Sequence, residues 1–298
     1  MPAKSDLPED LITRAGQLPC FTAPGHVEVL GGGKTNHNLL VHDCDRRFVV
    51  RFGTDIPEHG ILRWNELAVS RAAERAGIAP AIHHAEPGLL VMEFVDARPI
   101  SPEDRQNPGM IDKLAMLVRR VHHDVMRELE GPVLCFWVFH IIDDYVRLLR
   151  DRGSRHRPLL SGLLNDARRL EKALGPTEVV LGHNDLLPGN ILIGPGRIWL
   201  IDWEYAGFGS PLFDIGGLAS NNDFSVAEEQ TLLEAYYDRP LDDELWRKYS
   251  AMKCASLLRE TLWSMVSEIT SSIDFDYGAY TAQYHSAYQA AYQSFKTL

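Results

Sequence analysis

The sequence predicts an α+β protein of two unequal lobes: a small antiparallel sheet with one helix, then a larger, mainly helical part. Three observations predict it. Residues 26–30 (HVEVL), 37–42 (HNLLVH) and 47–52 (RFVVRF) are short β-branched or aromatic runs parted by the turn residues Gly31-Gly32-Gly33 and Asp43-Cys44-Asp45. From about residue 108 long helical patterns take over. Between the two textures lies Asp96 to Pro108, a segment with three prolines that reads as a hinge. The expected lobes are residues 1–95 and 96–298.

Taken in order, the first three runs form an antiparallel meander. Residues 62–76 read as a helix, with Leu62, Leu67, Val69, Ala73 and Ala76 broadly on one side and Gly77 and Pro80 as stops. Residues 89–95 (LLVMEFV) are a further strand. Helical patterns follow at 110–124, 140–152, 160–174, 225–237, 242–270 and 278–296, interrupted by strand-like runs at 178–182, 190–193 and 197–201. A cleft between such lobes suits a nucleotide.

Composition narrows the function classes. The 298 residues carry 45% hydrophobic side chains, enough for a proper core. The formal net charge of −11 argues against nucleic-acid binding, since no basic excess is available to neutralise phosphates. The four cysteines (Cys20, Cys44, Cys135, Cys254) are widely spaced and suggest neither a zinc site nor a disulfide framework. The first residues lack a signal-peptide core, and no run approaches the length of a membrane span. A soluble cytoplasmic protein, monomer or homodimer, is expected.

The chemistry concentrates in Leu181 to Asp202, LGHNDLLPGNILIGPGRIWLID. His183-Asn184-Asp185, four residues and then Asn190 reproduce the register H-R-D-x-x-x-x-N of a kinase catalytic loop. Phosphoryl transfer needs alignment and charge neutralisation more than covalent help. Asp185 is placed to orient the acceptor hydroxyl and take its proton. Asn190 and Asp202 offer the hard oxygen ligands that Mg²⁺ prefers. A bare D-x-x-x-x-N would be an ordinary loop; the strands before and after it carry the assignment.

The phosphates of ATP need a second set of groups. Gly33-Lys34-Thr35 resembles the end of a Walker A loop, but the position five before Gly33 is Glu28 and a strand rather than a helix follows. A glycine turn between two strands, covering the phosphates with backbone N–H groups, fits better and assigns Gly32, Gly33, Thr35 and Asn36 to the nucleotide. An ordinary hairpin is the alternative. Arg51 alternates into the cleft and is expected to pair with Glu66 on the next helix. Met92, Glu93, Phe94 and Val95 are assigned to adenine by position only. Asp214 either caps a helix or braces the catalytic loop through its backbone N–H groups.

HNDLLPGNIL, LIDWEYAG and FDIG together resemble the aminoglycoside phosphotransferase/choline kinase superfamily, and IDWEYA with FDI looks most like its bacterial choline/ethanolamine kinases. The resemblance implies a protein-kinase-like two-lobed fold and ATP- and Mg²⁺-dependent phosphorylation of a small, cationic alcohol. It implies Asp185 as base, Asn190 and Asp202 as metal ligands, and an arginine at position 51. It assigns Glu204, Asn221, Glu260, Trp263 and Tyr280 to the acceptor. In such an aromatic cage, rings and acids hold an ammonium group. Two positions depart from the pattern: Glu260 stands where a second tryptophan is expected, and Asn221 where an acid is expected. Trp263 and Tyr280 serve either the cage or helix packing. Other acceptors in the same superfamily, such as an aminoglycoside or thiamine, and a nucleotide-binding pseudokinase scaffold are the alternatives.

Overall fold

The computed structural model describes residues 9–31 and 36–298; Gly32, Gly33 and Thr35 of the glycine turn lie outside the described residues. The chain begins with helix α1 (Glu9–Gly16), then strands β1 (Pro24–Leu30), β2 (His37–Asp43) and β3 (Arg46–Phe52). A 3₁₀ turn (Pro57–His59) leads to helix α2 (Arg63–Arg75), and strands β4 (Ile82–Glu86) and β5 (Leu89–Glu93) complete a five-stranded antiparallel sheet of order β1-β2-β3-β5-β4. The period of two along β3 puts Phe48, Val50 and Phe52 into one small core with Leu39, Val41 and Val91, covered by Ala15 and Leu18 from α1 and the residue run after it. Arg51 therefore points to the opposite face, towards α2.

Two differences from expectation concern this sheet. Helix α1 and strand β4 were not anticipated. Helix α1 is short, with only Leu11, Ile12 and Ala15 turned inward. Strand β4 (IHHAE) is a half-exposed edge strand with no β-branched alternation, and its partner β5 rather than its own composition fixes it. The predicted strand 89–95 ends at Glu93.

The expected hinge contains structure. Strand β6 (Arg98–Pro99) pairs with strand β8 (Ile191–Gly194), and helix α3 (Pro102–Arg105) follows with a Ser101/Asp104 capping box. Helix α4 (Met110–Arg120) runs into a π-helical turn, Val121–Val125, that buries His122 completely. Helices α5 (Val138–Asp151) and α6 (Arg157–Leu174) precede strand β7 (Val180–Gly182). A hairpin of β8 and β9 (Arg197–Leu200) and the short strand β10 (Gly207–Gly209), paired with β7, complete the β structure.

Helix α7 (Pro211–Asn221) starts at Ser210, whose hydroxyl accepts from Leu212 N at 3.3 Å, so Ser210 and not Asp214 is its cap. Helices α8 (Val226–Tyr237), α9 (Asp243–Thr270) and α10 (Tyr277–Phe295) follow. The 28-residue α9 is the axis of this part, buried along nearly all of Ala251 to Ser267 among α5, α6, α7 and α10. Helix α7 approaches it through Gly216, where an added Cβ would lie 2.9 Å from the Lys253 Cα.

That approach generates a test of the packing. Gly216→Val forces two helix backbones apart, and overpacking of this kind costs about 1–3 kcal/mol. The urea midpoint should fall with an unchanged m-value; an unchanged midpoint would contradict the close α7–α9 contact.

Candidate active site

The loop after β7 is held by one buried carboxylate. Asp214, in the first turn of α7, accepts the His183 N–H on Oδ2 at 2.7 Å and the Asn184 N–H on Oδ1 at 2.6 Å. His122 Nε2 lies 3.1 Å from Oδ2, and Tyr236 OH lies 2.6 Å from its Nδ1. Burial alone would push the Asp214 carboxyl up; the His122 hydrogen bond and the loop N–H groups outweigh it and hold the carboxyl below its ordinary value. Of the two expected roles for Asp214, the brace is the one found.

Asn184 takes a left-handed conformation, φ 63°, and its amide donates to Tyr205 O at 3.0 Å and Gly207 O at 3.3 Å. Short polar side chains tolerate this region by bonding locally. His183 is fully buried, and burial depresses its basicity. As a neutral ring it donates from Nε2 to Ile201 O at 3.0 Å and accepts the Asp185 N–H on Nδ1 at 3.3 Å. The histidine thus ties the loop carrying Asp185 to the segment carrying Asp202.

The hairpin β8–β9 brings the next two groups together. Its register pairs Ile191 with Leu200, and Ile201 N donates to Asn190 O at 3.1 Å. Asn190 ends a 3₁₀ turn (Pro188–Asn190), and its Nδ2 donates to Asp185 O and Asp185 Oδ2, both at 2.9 Å. Asp202, also left-handed at φ 67°, receives Arg51 Nη2 on Oδ1 at 2.6 Å. The Asn190 amide N–H groups face Asp185, so its amide oxygen is the group left for a cation. That oxygen and a carboxylate oxygen of Asp202 form a hard, incomplete donor pair of the kind Mg²⁺ accepts when phosphates supply the rest. No cluster of three or more His, Cys, Asp or Glu able to hold a metal occurs among the described residues.

Arg51 is only 6% exposed and sits among three carboxylates. It contacts Glu66 Oε1 at 2.8 Å, Asp202 Oδ1 at 2.6 Å and Glu204 Oε2 at 3.1 Å. Arg63 joins the same group, 2.6 Å from Glu66 Oε2 and 3.0 Å from Glu204 Oε2, and Asn36 Nδ2 donates to Glu204 Oε2 at 3.1 Å. The Arg51–Glu66 contact expected from the sequence is present. Glu204, expected at the acceptor, is the hub of this network while also lining the cavity described next.

A cavity of 460 Å³ opens beside Asp185. Gly31, Asn190, Asp202, Tyr205, Arg259, Glu260 and Trp263 are among the residues that line it. Burial pushes the Asp185 carboxyl well above the usual carboxylate range, and the negative charges of Glu260, Asp202 and Glu204 add to the effect while Arg259 opposes it. Tyr280 does not line the cavity but donates to Glu260 Oε1 at 2.7 Å. Trp263 is 5% exposed, donates from Nε1 to Tyr205 OH at 2.8 Å and lies 6.0 Å from the Tyr280 ring, so it packs the core and lines the cavity at once. Asn221, at the end of α7, accepts from Tyr284 OH at 3.3 Å and is outside the cavity lining.

Met92, Glu93, Phe94 and Val95 lie at the end of β5, away from this cavity. The Glu93 N–H donates to Ala81 O and the Phe94 N–H to Arg47 O within the sheet, and Val95 O accepts from Ala97 N. Arg63, His122, Tyr205 and Arg259 were missed from the sequence. Only Arg63 had a local signal, since it precedes Glu66 by three residues on α2.

Asp214→Ala leaves two buried backbone N–H groups and His122 without their acceptor. At about 1–3 kcal/mol for each unsatisfied group, unfolding stability should drop by about 3 kcal/mol or more. Chemical denaturation checks it; a loss below about 1 kcal/mol would show that the brace is dispensable.

A phosphotransferase enzyme family model matches residues 26–252, more than half of the chain. The probable ethanolamine kinase A of Dictyostelium discoideum is 26% identical over 287 residues, covering 85% of this chain and 82% of that protein. Protein LicA of Haemophilus influenzae is 24% identical over 264 residues, covering 84% and 75%. Among solved structures, a choline/ethanolamine kinase family protein from Mesorhizobium loti superposes with a TM-score of 0.76 at 25% identity, covering 95% of this chain and 93% of that one. With Asp185, Asn190 and Asp202 lining one cavity and these matches spanning most of its length, the chain belongs to the phosphotransferase enzyme family.

Proposed function

We propose that the protein is an ATP- and Mg²⁺-dependent kinase that phosphorylates the hydroxyl of a small amino alcohol, of the choline or ethanolamine type named for its relatives. The observation that carries the reading is that Asp185, Asn190 and Asp202 line one cavity together with Glu260 and Trp263. The nucleotide is assigned to the space between the lobe of residues 1–95 and that of residues 96–298, with adenine at Met92–Val95 and the phosphates near Asn36 and Arg51. Arg51 supports this by keeping its buried Nε–H without a protein partner while its other nitrogens are engaged. Free cysteines and a need for ATP suit the cytoplasm.

In the proposed step the acceptor hydroxyl oxygen attacks the γ-phosphorus of ATP. The new P–O bond forms as the bond from γ-phosphorus to the β,γ-bridging oxygen breaks, ADP leaves, and the hydroxyl proton passes to Asp185. Asn190, by donating to Asp185 Oδ2, fixes the carboxylate's orientation. Asn190 and Asp202 would hold Mg²⁺, which would neutralise charge on the phosphates. A raised carboxyl pKa is useful here, because it makes Asp185 a stronger base than an exposed aspartate.

The same shift has a stability consequence. A carboxyl whose folded-state pKa exceeds its unfolded value binds its proton more tightly when folded. Ionising it therefore costs stability, increasingly so as pH rises from the usual carboxylate range through the folded value. Asp185→Asn should lower kcat by about 10²–10⁴-fold with nucleotide binding retained. Its thermal midpoint should exceed that of the wild type by a margin that grows as pH rises above the usual carboxylate range of about pH 4. Retained turnover in this variant sinks the assignment of Asp185.

A further inference from the structure

The acceptor end of the cavity carries a cation that a simple ammonium substrate does not require. Arg259 is 3% exposed and lines the cavity with Asp185. Its Nη1 donates to Glu260 Oε2 at 2.8 Å, while Nε and Nη2 are buried with no hydrogen-bond partner. The guanidinium lies 4.2 Å from the Tyr205 ring centroid and 5.8 Å from that of Phe136. The Tyr145 hydroxyl, 3.0 Å from His59 Nδ1, is a polar neighbour of the guanidinium. Nε and Nη2 are therefore held in a buried wall between ring faces, with the Tyr145 hydroxyl as a polar neighbour and no close hydrogen bond of their own.

Charge complementarity identifies what would answer them. A guanidinium fork matches a carboxylate, and leaving it unpaired out of water is costly. An isolated ammonium would find Glu260 but would also meet the Arg259 charge beside it. A substrate with both an ammonium and a carboxylate satisfies both members of the pair. The phosphate end of the cleft has its own cations in Arg51 and Arg63, on β3 and α2, whereas Arg259 sits on α9 next to Glu260 and one turn from Trp263.

We propose that Arg259 and Glu260 form a zwitterion-binding pair, and that the acceptor is an amino alcohol carrying a carboxylate: a small hydroxy amino acid or a compound of the same charge pattern. This rests on the kinase reading above and replaces its choline- or ethanolamine-type acceptor with a carboxylated one. Glu260 would take the ammonium and Arg259 Nε and Nη2 the carboxylate, leaving the hydroxyl towards Asp185.

The test compares acceptors that differ only by the carboxylate. ADP release is measured for L-serine against ethanolamine and for L-homoserine against 3-amino-1-propanol, with choline alongside. The carboxylated member of at least one pair should exceed its partner in kcat/KM by about 100-fold or more, because a buried polar site rejects an analogue that leaves it unpaired. Arg259→Lys, which keeps the charge but not the fork, should cut that ratio at least about tenfold, mainly by raising KM for the carboxylated member. Wild-type preference for ethanolamine, 3-amino-1-propanol or choline overturns the inference and leaves the kinase reading standing. So does an Arg259→Lys loss that is equal for both members of a pair, since that would place the guanidinium on the transferred phosphoryl group or in packing alone. ADP release with none of the five acceptors overturns both. The wild-type ratio decides the question even if the variant does not fold.

Discussion

The burial of Arg51 among Glu66, Asp202 and Glu204 is the constraint on which the rest of the site depends. These four side chains come from β3, from α2 and from the segment after β9. A guanidinium this far from water is tolerable only with its partners in place, and removing one member of such a group typically costs about 3–5 kcal/mol. The sheet and the helical part are thereby pinned at one relative position. Because Asp202 is one of the anchors, its carboxylate stands where the β8–β9 hairpin also delivers Asn190, which donates to Asp185 on the loop after β7. The network is a registration device that fixes the relative positions of Asp185, Asn190 and Asp202.

A second constraint works locally. The fold places Asp185 where its own ionisation is disfavoured, and it holds Asn184 and Asp202 in left-handed backbone conformations on either side. Each of these is unfavourable alone. They persist because Asp214, His122 and Tyr236 form a buried chain of hydrogen bonds under the loop, and because His183 bonds across to Ile201. Strain and desolvation concentrated at one loop and offset by a rigid support beneath it are common at sites that must present a reactive group.

The extent to which all this could be read from the sequence follows from where each signal resides. The spacing of Asp185, Asn190 and Asp202 is a local pattern bounded by strands, and the structure brings the three together. The helical periodicities of α2, of α4 to α6 and of α8 to α10 are likewise local, and most of their ends fall within a few residues of expectation, whereas no range was expected for α7. Strand β4 was illegible because an edge strand is specified by its neighbour. Ser210 displaced Asp214 as the α7 cap because Asp214 is drawn to the His183 and Asn184 N–H groups. Arg259 and His122 have meaning only through partners far away in sequence, Tyr205 and Phe136 for one, Asp214 and Tyr236 for the other. Glu260 was legible as a departure from a family pattern, but its partner beside it was not, since adjacent helix residues do not ordinarily face each other.

The central claim is that a phosphoryl group moves from ATP to the hydroxyl of a small amino alcohol. The most direct measurement is ³¹P NMR of the 298-residue chain incubated with MgATP and amino alcohols with and without a carboxylate. The account predicts a new phosphomonoester resonance appearing in equal amount with ADP, coupled to the acceptor's carbinol protons. Inorganic phosphate as the only new product, or an unchanged ATP spectrum with every acceptor, would contradict it.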